Sequence, residues 1–422
     1  MYAQISSRTS LQSKWTDNTA SGYNDVWGYA APNGDEYAII GSIEKINFIN
    51  ITDPSNPVNV TNFVGGSNGR WRDIKTYSHY AYSVCDVCTE GLHIFDLSTL
   101  PNAATHVNQV TTDFLRAHNI FIAGDRLYVV GMVGNDDLLI YDLAADPVNP
   151  SLLASVDLDL ILGTGVDMFY IHDIYVRDNI AYASHGHEGY YIWDVADPLN
   201  ISLIADKDFG GYNHSSWLSE DGQFAYVAEE IIKGLPMQLV DVSDMMNGNI
   251  SSVSTFQDNL APVGPNNENA THHNPFVKND LLYISNYEDG LKIYNIESPD
   301  NPVLFAYYDT YPDDNDNGTY SGYNGAWGAY PFLPSGNILV SDRKYGLHVI
   351  KIRECDGVAK VIGNISTSEN ENYSCCIVTG NQSSINGNVT SEYVAGQYIA
   401  LGNNFEITQG ATVLFDIDLC AN

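Results

Sequence analysis

Short apolar runs, in which alternate positions are Val, Ile, Leu, Tyr or Phe, are separated along the whole chain by clusters of Gly, Asn, Asp and Pro. That alternation predicts strands with one buried face, and no stretch carries the 3.6-residue period of a long amphipathic helix. One form, apolar-x-apolar-aromatic-Asp, keeps returning. It is seen in INFINITDP (46–54), LHIFDLS (92–98), LLIYDLAADP (138–147), YYIWDVADP (190–198), MQLVDVSD (237–244), LKIYNIESP (291–299) and LHVIKI (347–352). Copies 46 to 56 residues apart have the length of a propeller blade and exceed most helical repeats.

The order inside each unit is constant. A first strand such as HDIYV leads through a short turn (RDN, AGD, KND) to a Tyr-bearing second strand (IAYAS, RLYVV, LLYIS). The aromatic-Asp run is the third strand, and a DPxNP-type turn leads to a fourth such as SLLASVDL. Seven such units predict an all-β protein, a seven-bladed β-propeller. The last unit stops at its third strand, while RTSLQSKWTD (8–17) reads as a fourth strand without a blade. Pairing these two would close the ring and remove two exposed edges. The expected organisation is an N-terminal tail or signal-peptide remnant over 1–7, the propeller over 8–353 and a small C-terminal β module over 354–422.

Charge narrows the partners. Eighteen Lys and Arg against 52 Asp and Glu give a formal net charge of -34, a surface that repels nucleic acid and anionic lipid. No apolar run is long enough to span a membrane as a helix. The opening MYAQ reads as the end of a secretory signal cleaved after Ala3, which makes the expected location secreted or cell-surface. Cys85 and Cys88 form a C-x-x-C without a second pair to complete a zinc site, so a small disulfide is the expectation. Cys355, Cys375, Cys376 and Cys420 gather in the tail, where a Cys355–Cys420 bridge is one of three possible pairings. Sequons such as Asn50, Asn59, Asn269 and Asn388 permit glycosylation, though an Asn-rich chain produces them by chance.

With these repeats in view, the chain resembles the LVIVD-repeat propellers called the choice-of-anchor B family. The resemblance rests on YNDVWGY (23–29), WRDIKTY (71–77), AHNIFI, IHDIYV and the aromatic-Asp strands, and covers about residues 8–352. The tail looks like C-terminal modules of secreted bacterial proteins. The resemblance implies an exported, surface-associated propeller and supplies no activity.

Aligned first strands place one residue per blade at a common height: Asn24, Arg72, His118, His172, His214, His273 and Asn324. First strands of a propeller line its channel, so these side chains should converge at one opening, with Cys85, His185, Glu229, Asn286 and Asp342 arriving from the second strands. Imidazoles ligate zinc or manganese well, and a neighbouring Asp or Asn can fix the tautomer. The expected metal centre therefore draws on His118, His172, His214 and His273, with His185 and Glu229 as further candidates. The competing reading has these polar groups satisfying backbone and water at the channel mouth. DDNDNGTYSG (313–322) matches half a calcium loop through Asp313, Asn315 and Asn317, with Asn324 where the closing Glu belongs. Trp27, Trp71, Trp217 and Trp327 read as packing between blades, with sugar stacking the other option.

There is no G-x-S-x-G elbow, Walker loop, dinucleotide G-x-G-x-x-G or H-E-x-x-H. The leading expectation is thus a non-enzymatic binding, adhesion or assembly module that meets a surface protein or a carbohydrate. A metal-assisted polysaccharide lyase or hydrolase is the alternative, since certain propeller lyases resemble this arrangement of histidines. His185, Asp173 or Tyr212 would then serve as base. Uronate polymers demand a basic cleft, and only Arg72 and Arg116 supply positive charge near this face. A homo-oligomer or filament subunit is a third reading.

Overall fold

The computed structural model describes residues 6–65, 68–132, 137–163, 170–260, 269–314, 320, 322–353 and, in the tail, 359–362, 370–379, 384–385, 390–400, 406–407, 409 and 412–417. The chain divides into two compact units, Leu11–Ile350 and Ser6–Ser10 with Lys351–Asn422.

The larger unit is a seven-bladed β-propeller. Each blade is built on four antiparallel strands, as in Asp173–Arg177, Ile180–Ser184, Tyr190–Asp194 and Ser202–Lys207 of blade four. First strands of successive blades pack against one another around the axis. Blade seven takes Ala326–Tyr330, Asn337–Asp342 and Gly346–Ile352 from the C-terminal side and Thr9–Trp15 from the N-terminal side, which closes the ring.

Local chemistry explains the repeat. The Asp ending each third strand bends back so that its Oδ1 accepts the N–H two residues on: Asp96 from Ser98, Asp142 from Ala144, Asp194 from Ala196 and Asp241 from Ser243, all at 2.8–2.9 Å. Asn50 and Asn295 do the same for Thr52 and Glu297. This short side chain offers the backbone a partner just as the ladder ends, so the strand stops there. Asp53, Asp146 and Asp197 repeat the device in the DPxNP turns. The first hairpins turn on Asp178–Asn179 and Asn279–Asp280, all four with φ between 53° and 61°. Positive φ at both central residues is the twist-matched hairpin turn, and Asn and Asp tolerate it.

Apolar residues fill the spaces between blades. Tyr128, Val130 and Ile140 of blade three meet Ile174, Val176 and Trp193 of blade four in one buried cluster. Val26, Ala38 and Ile40 of blade one meet Leu339, Leu347 and Val349 of blade seven in another, so apolar burial seals the closure as well as hydrogen bonds.

The smaller unit is a parallel sheet of Ala359–Ile362, Asn370–Thr379, Thr390–Ala400 and Thr412–Ile417. Register pairs Ala359 with Cys376, Cys376 with Tyr398 and Thr390 with Thr412 in this sheet, and Ser384 with Glu406 in a separate two-stranded one. Cys355 and Cys420 lie outside the described residues, as do the side chains of Cys375 and Cys376, so the tail pairings do too.

Candidate functional site

Four imidazoles converge where blades three to six begin. Ring centroids are 4.1 Å apart between His118 and His172, 4.3 Å between His172 and His214 and 4.2 Å between His214 and His273. Trp327 continues the arc 4.4 Å beyond His273. Blade seven thus contributes Trp327 at this height and not Asn324, because its first strand bulges between Ala326 and Gly328.

Three of the four imidazoles are tied to the next blade. Nδ1 of His172 lies 3.2 Å from the His214 carbonyl, Nδ1 of His214 lies 3.1 Å from the His273 carbonyl and Nδ1 of His273 lies 2.6 Å from the Trp327 carbonyl. A carbonyl oxygen only accepts, so each Nδ1 carries the proton and donates it. In the neutral ring Nε2 must then hold a lone pair. Burial and the mutual repulsion of neighbouring rings hold His172 and His273 well below the usual histidine range, and burial lowers His214, so all three are neutral at pH 7. His118 differs, with its Nδ1 2.9 Å from Oδ2 of Asp86.

The carboxylate that reaches the arc is Glu230. Its Oε2 is 3.6 Å from Nε2 of His214, and its Oε1 accepts a 2.5 Å hydrogen bond from the hydroxyl of buried Tyr287. His172, His214 and Glu230 each offer a ligand atom within 4.8 Å of the others. Zinc ligands lie about 2.0–2.2 Å from the ion, so a shift of about an ångström converts that spread into shared coordination. The Nε2 of His273 is buried without a partner, a lone pair left unmet. A cavity of about 20 Å³ lies among these rings. Nitrogen lone pairs and one carboxylate with fixed tautomers suit a zinc-class or manganese-class ion, so the residues fit the metal expected from the repeats.

Two other candidates do not join the arc. His185 is buried against Tyr191, with ring centroids 4.6 Å apart, and accepts from the Trp193 indole at 3.4 Å. Burial drops its pKa to about 3, the behaviour of a core histidine. Glu229 points to the other face of its strand, where Oε1 accepts from Asn213 at 3.3 Å and burial pushes its pKa up to about 7. Glu230, Asp86 and Tyr287 were the residues that repeat counting missed.

A second layer lies below the rings. Asp25 accepts from the Ile74 amide at 3.2 Å, Asp73 from the Ile120 amide at 2.9 Å and Asp173 from the Asn119 carboxamide at 2.7 Å, each tying one blade to another. The ammonium of Lys75 sits 2.6 Å from Asp73 and 4.0 Å from Asp25. Aromatic rings form the floor: Phe121, Tyr175, Trp217, Phe276 and Trp27 follow one another with centroids 4.3–6.3 Å apart. Trp27 and Trp217 are therefore channel packing.

Away from the channel, Cys85 and Cys88 are disulfide-bonded. Asp313 is engaged by the Lys344 ammonium and, at 2.8–2.9 Å, by the Tyr345 hydroxyl. Asn315 and Asn317 lie outside the described residues. Among the described residues no helix is long and apolar enough to cross a membrane.

No family model and no curated protein matches the sequence. Solved structures do match the fold. The β-propeller domain of Cps50 (Swd1) from Myceliophteria thermophila is 12% identical, covers 82% of this chain and 99% of its own, and has a TM-score of 0.54. The extracellular domain of a hybrid two-component system from B. thetaiotaomicron is 15% identical over 83% of this chain and 40% of its own, at 0.53. A computationally designed protein, Ika8, is 7% identical over 81% of this chain and 99% of its own, at 0.51. At such identities the likeness concerns the propeller fold alone.

Proposed function

We propose that this β-propeller is an exported or cell-surface binding and assembly module of the choice-of-anchor B type. Its working face is the channel mouth, where His172, His214 and Glu230 hold a divalent transition ion with His118 and His273 alongside. The observation that carries the reading is the chain of Nδ1–H donations from blade to blade, which leaves three neutral Nε2 lone pairs beside one carboxylate. The ion would supply an open coordination position for a carboxylate or hydroxyl of a surface protein or carbohydrate. The disulfide and the acidic balance support a place outside the reducing cytosol.

A uronate lyase is the weaker reading. Arg72, which lines the mouth cavity, already donates from Nε to the Ser42 carbonyl at 3.2 Å and lies 3.9 Å from Glu90. Both commitments leave little positive charge to draw a polyanion.

Metal analysis of the full chain purified without chelators tests the proposal. About one equivalent of zinc or manganese is expected in the wild type and little in the His172→Ala/His214→Ala double variant. A folded wild type that carries no transition metal and takes none up would sink the metal-dependent reading. Release of unsaturated products from acidic polysaccharides would replace the binding module with the lyase.

A further inference from the structure

Beneath the imidazoles the channel is over-supplied with buried oxygen. Asp25, Asp73 and Asp173 share a single ammonium, that of Lys75, in a layer closed below by aromatic rings, and burial holds Asp25 and Asp173 above the usual carboxylate range. The imbalance is also lopsided. Lys75 serves Asp73 and Asp25, while Asp173 has no cation within ion-pair distance among the described residues. On that side Asn119 spends its carboxamide N–H on Asp173 at 2.7 Å. Its Oδ1 is buried with no partner, and the residue is only 9% exposed. The Oδ1 of Asn274 is orphaned in the same way. These groups lie between two cavities: they line the one of about 20 Å³ under the imidazoles and, with Ser215, one of about 30 Å³ on the aromatic side, the latter with room for roughly an ion and a water.

Orphaned carbonyl oxygens in a buried site cost free energy, and unbalanced carboxylates cost more. Protonating the carboxylates would relieve the charge and leave the carboxamide oxygens unmet. A cation meets both needs. The donors on this side are all oxygens, carboxylate, carboxamide and hydroxyl, which is the set that hard divalent ions take and zinc-class ions do not favour. We infer that the channel holds a calcium-class cation between Asp173, Asn119 and Asn274, on the aromatic side of the imidazole centre and away from the Asp313 loop. Its place between first strands of blades three, four and six makes it a pin that holds the blades that carry the histidines.

Terbium luminescence on the chelator-treated full chain reads this site, because Trp217 lines the same cavity and can sensitise a bound lanthanide. Saturable emission excited through tryptophan, displaced by Ca²⁺, is expected. Asp173→Asn and Asn119→Ala should each weaken binding at least tenfold. His172→Ala/His214→Ala and Asp313→Asn should leave it within twofold, the latter altering an acidic group elsewhere. Absence of wild-type emission overturns the inference, as does unchanged binding in both channel variants. Loss of emission in the histidine double variant alone would put the ion in the upper layer and equally overturn it. If either channel variant fails to fold by circular dichroism, Sr²⁺-soaked wild-type crystals decide: an anomalous peak beside Asp173 supports the site, and an empty cavity removes it. Transition-metal content is a separate readout, so failure of the calcium-class ion and failure of the transition ion are told apart.

Discussion

Glu230 reaches His214 because successive strand residues face opposite ways, which turns Glu229 toward Asn213. Glu230→Gln should therefore cut zinc affinity at least tenfold in a chelating-dye competition, whereas Glu229→Gln should leave it within twofold. Equal effects from the two would mean that the carboxylate is not a ligand. A second residue-scale expectation concerns Asp342, whose carboxyl is pushed up to about 6 by burial, against the pull of the Lys344 and Tyr345 amides. The native state keeps this proton where the unfolded chain has released it. The stability it contributes is complete below the unfolded value of 3.8 and is lost as pH rises to about 6. Asp342→Asn cannot ionise, so it should gain roughly 2–3 kcal/mol over wild type at pH 8 and little at pH 4 in urea titrations. A gain of the same size at both pH values would show that the carboxyl does not titrate as described. The four arc histidines were legible in the sequence because each recurs at one place in its repeat. Glu230 was not, since a repeat count locates a strand end only to within a residue, and one residue decides the face.

Elements carried most of the legible signal. Third-strand Asp residues, DPxNP turns and the Asp–Asn hairpins are local chemistry, so they can be read without the fold. Asn179 holds φ 61° in its turn, and Asn179→Ala should cost about 1 kcal/mol in chemical denaturation while Asn179→Gly should be nearly neutral. An alanine variant as stable as wild type would discount that turn chemistry. What remained hidden is irregular. First strands bulge between Tyr23 and Val26, Asn213 and Ser215, and Ala326 and Gly328. Each bulge slides the residues before it against the count, and that is how Asn324 came to stand where Trp327 belongs. His185 was misplaced for a related reason: it follows its strand, and the turn after it carries the ring into the core beside Trp193.

At the scale of the molecule, closure is the costly event, since Thr9–Trp15 and Gly346–Ile352 must meet after more than three hundred intervening residues. Removing residues 1–16 should leave Gly346–Ile352 as a bare edge, with loss of the single cooperative unfolding transition and aggregation visible by light scattering. A truncated chain that unfolds as cooperatively as wild type would deny the strand its role. The formal charge of -34 acts on the same scale. Its self-repulsion should make thermal stability rise with added salt from low ionic strength, and a flat response would mean that the charges are already balanced locally.

The blade-to-blade donations from His172, His214 and His273 also make the arc a tensioned line rather than a set of separate hooks. Each ring is moored to the backbone of its neighbour. A pull on one Nε2 is therefore felt as a tug on the next blade's main chain. An ion at the mouth should slow amide exchange across blades four to seven as a block, leaving blades one and two unchanged, and so turn a local ligand into a stiffener for half the ring.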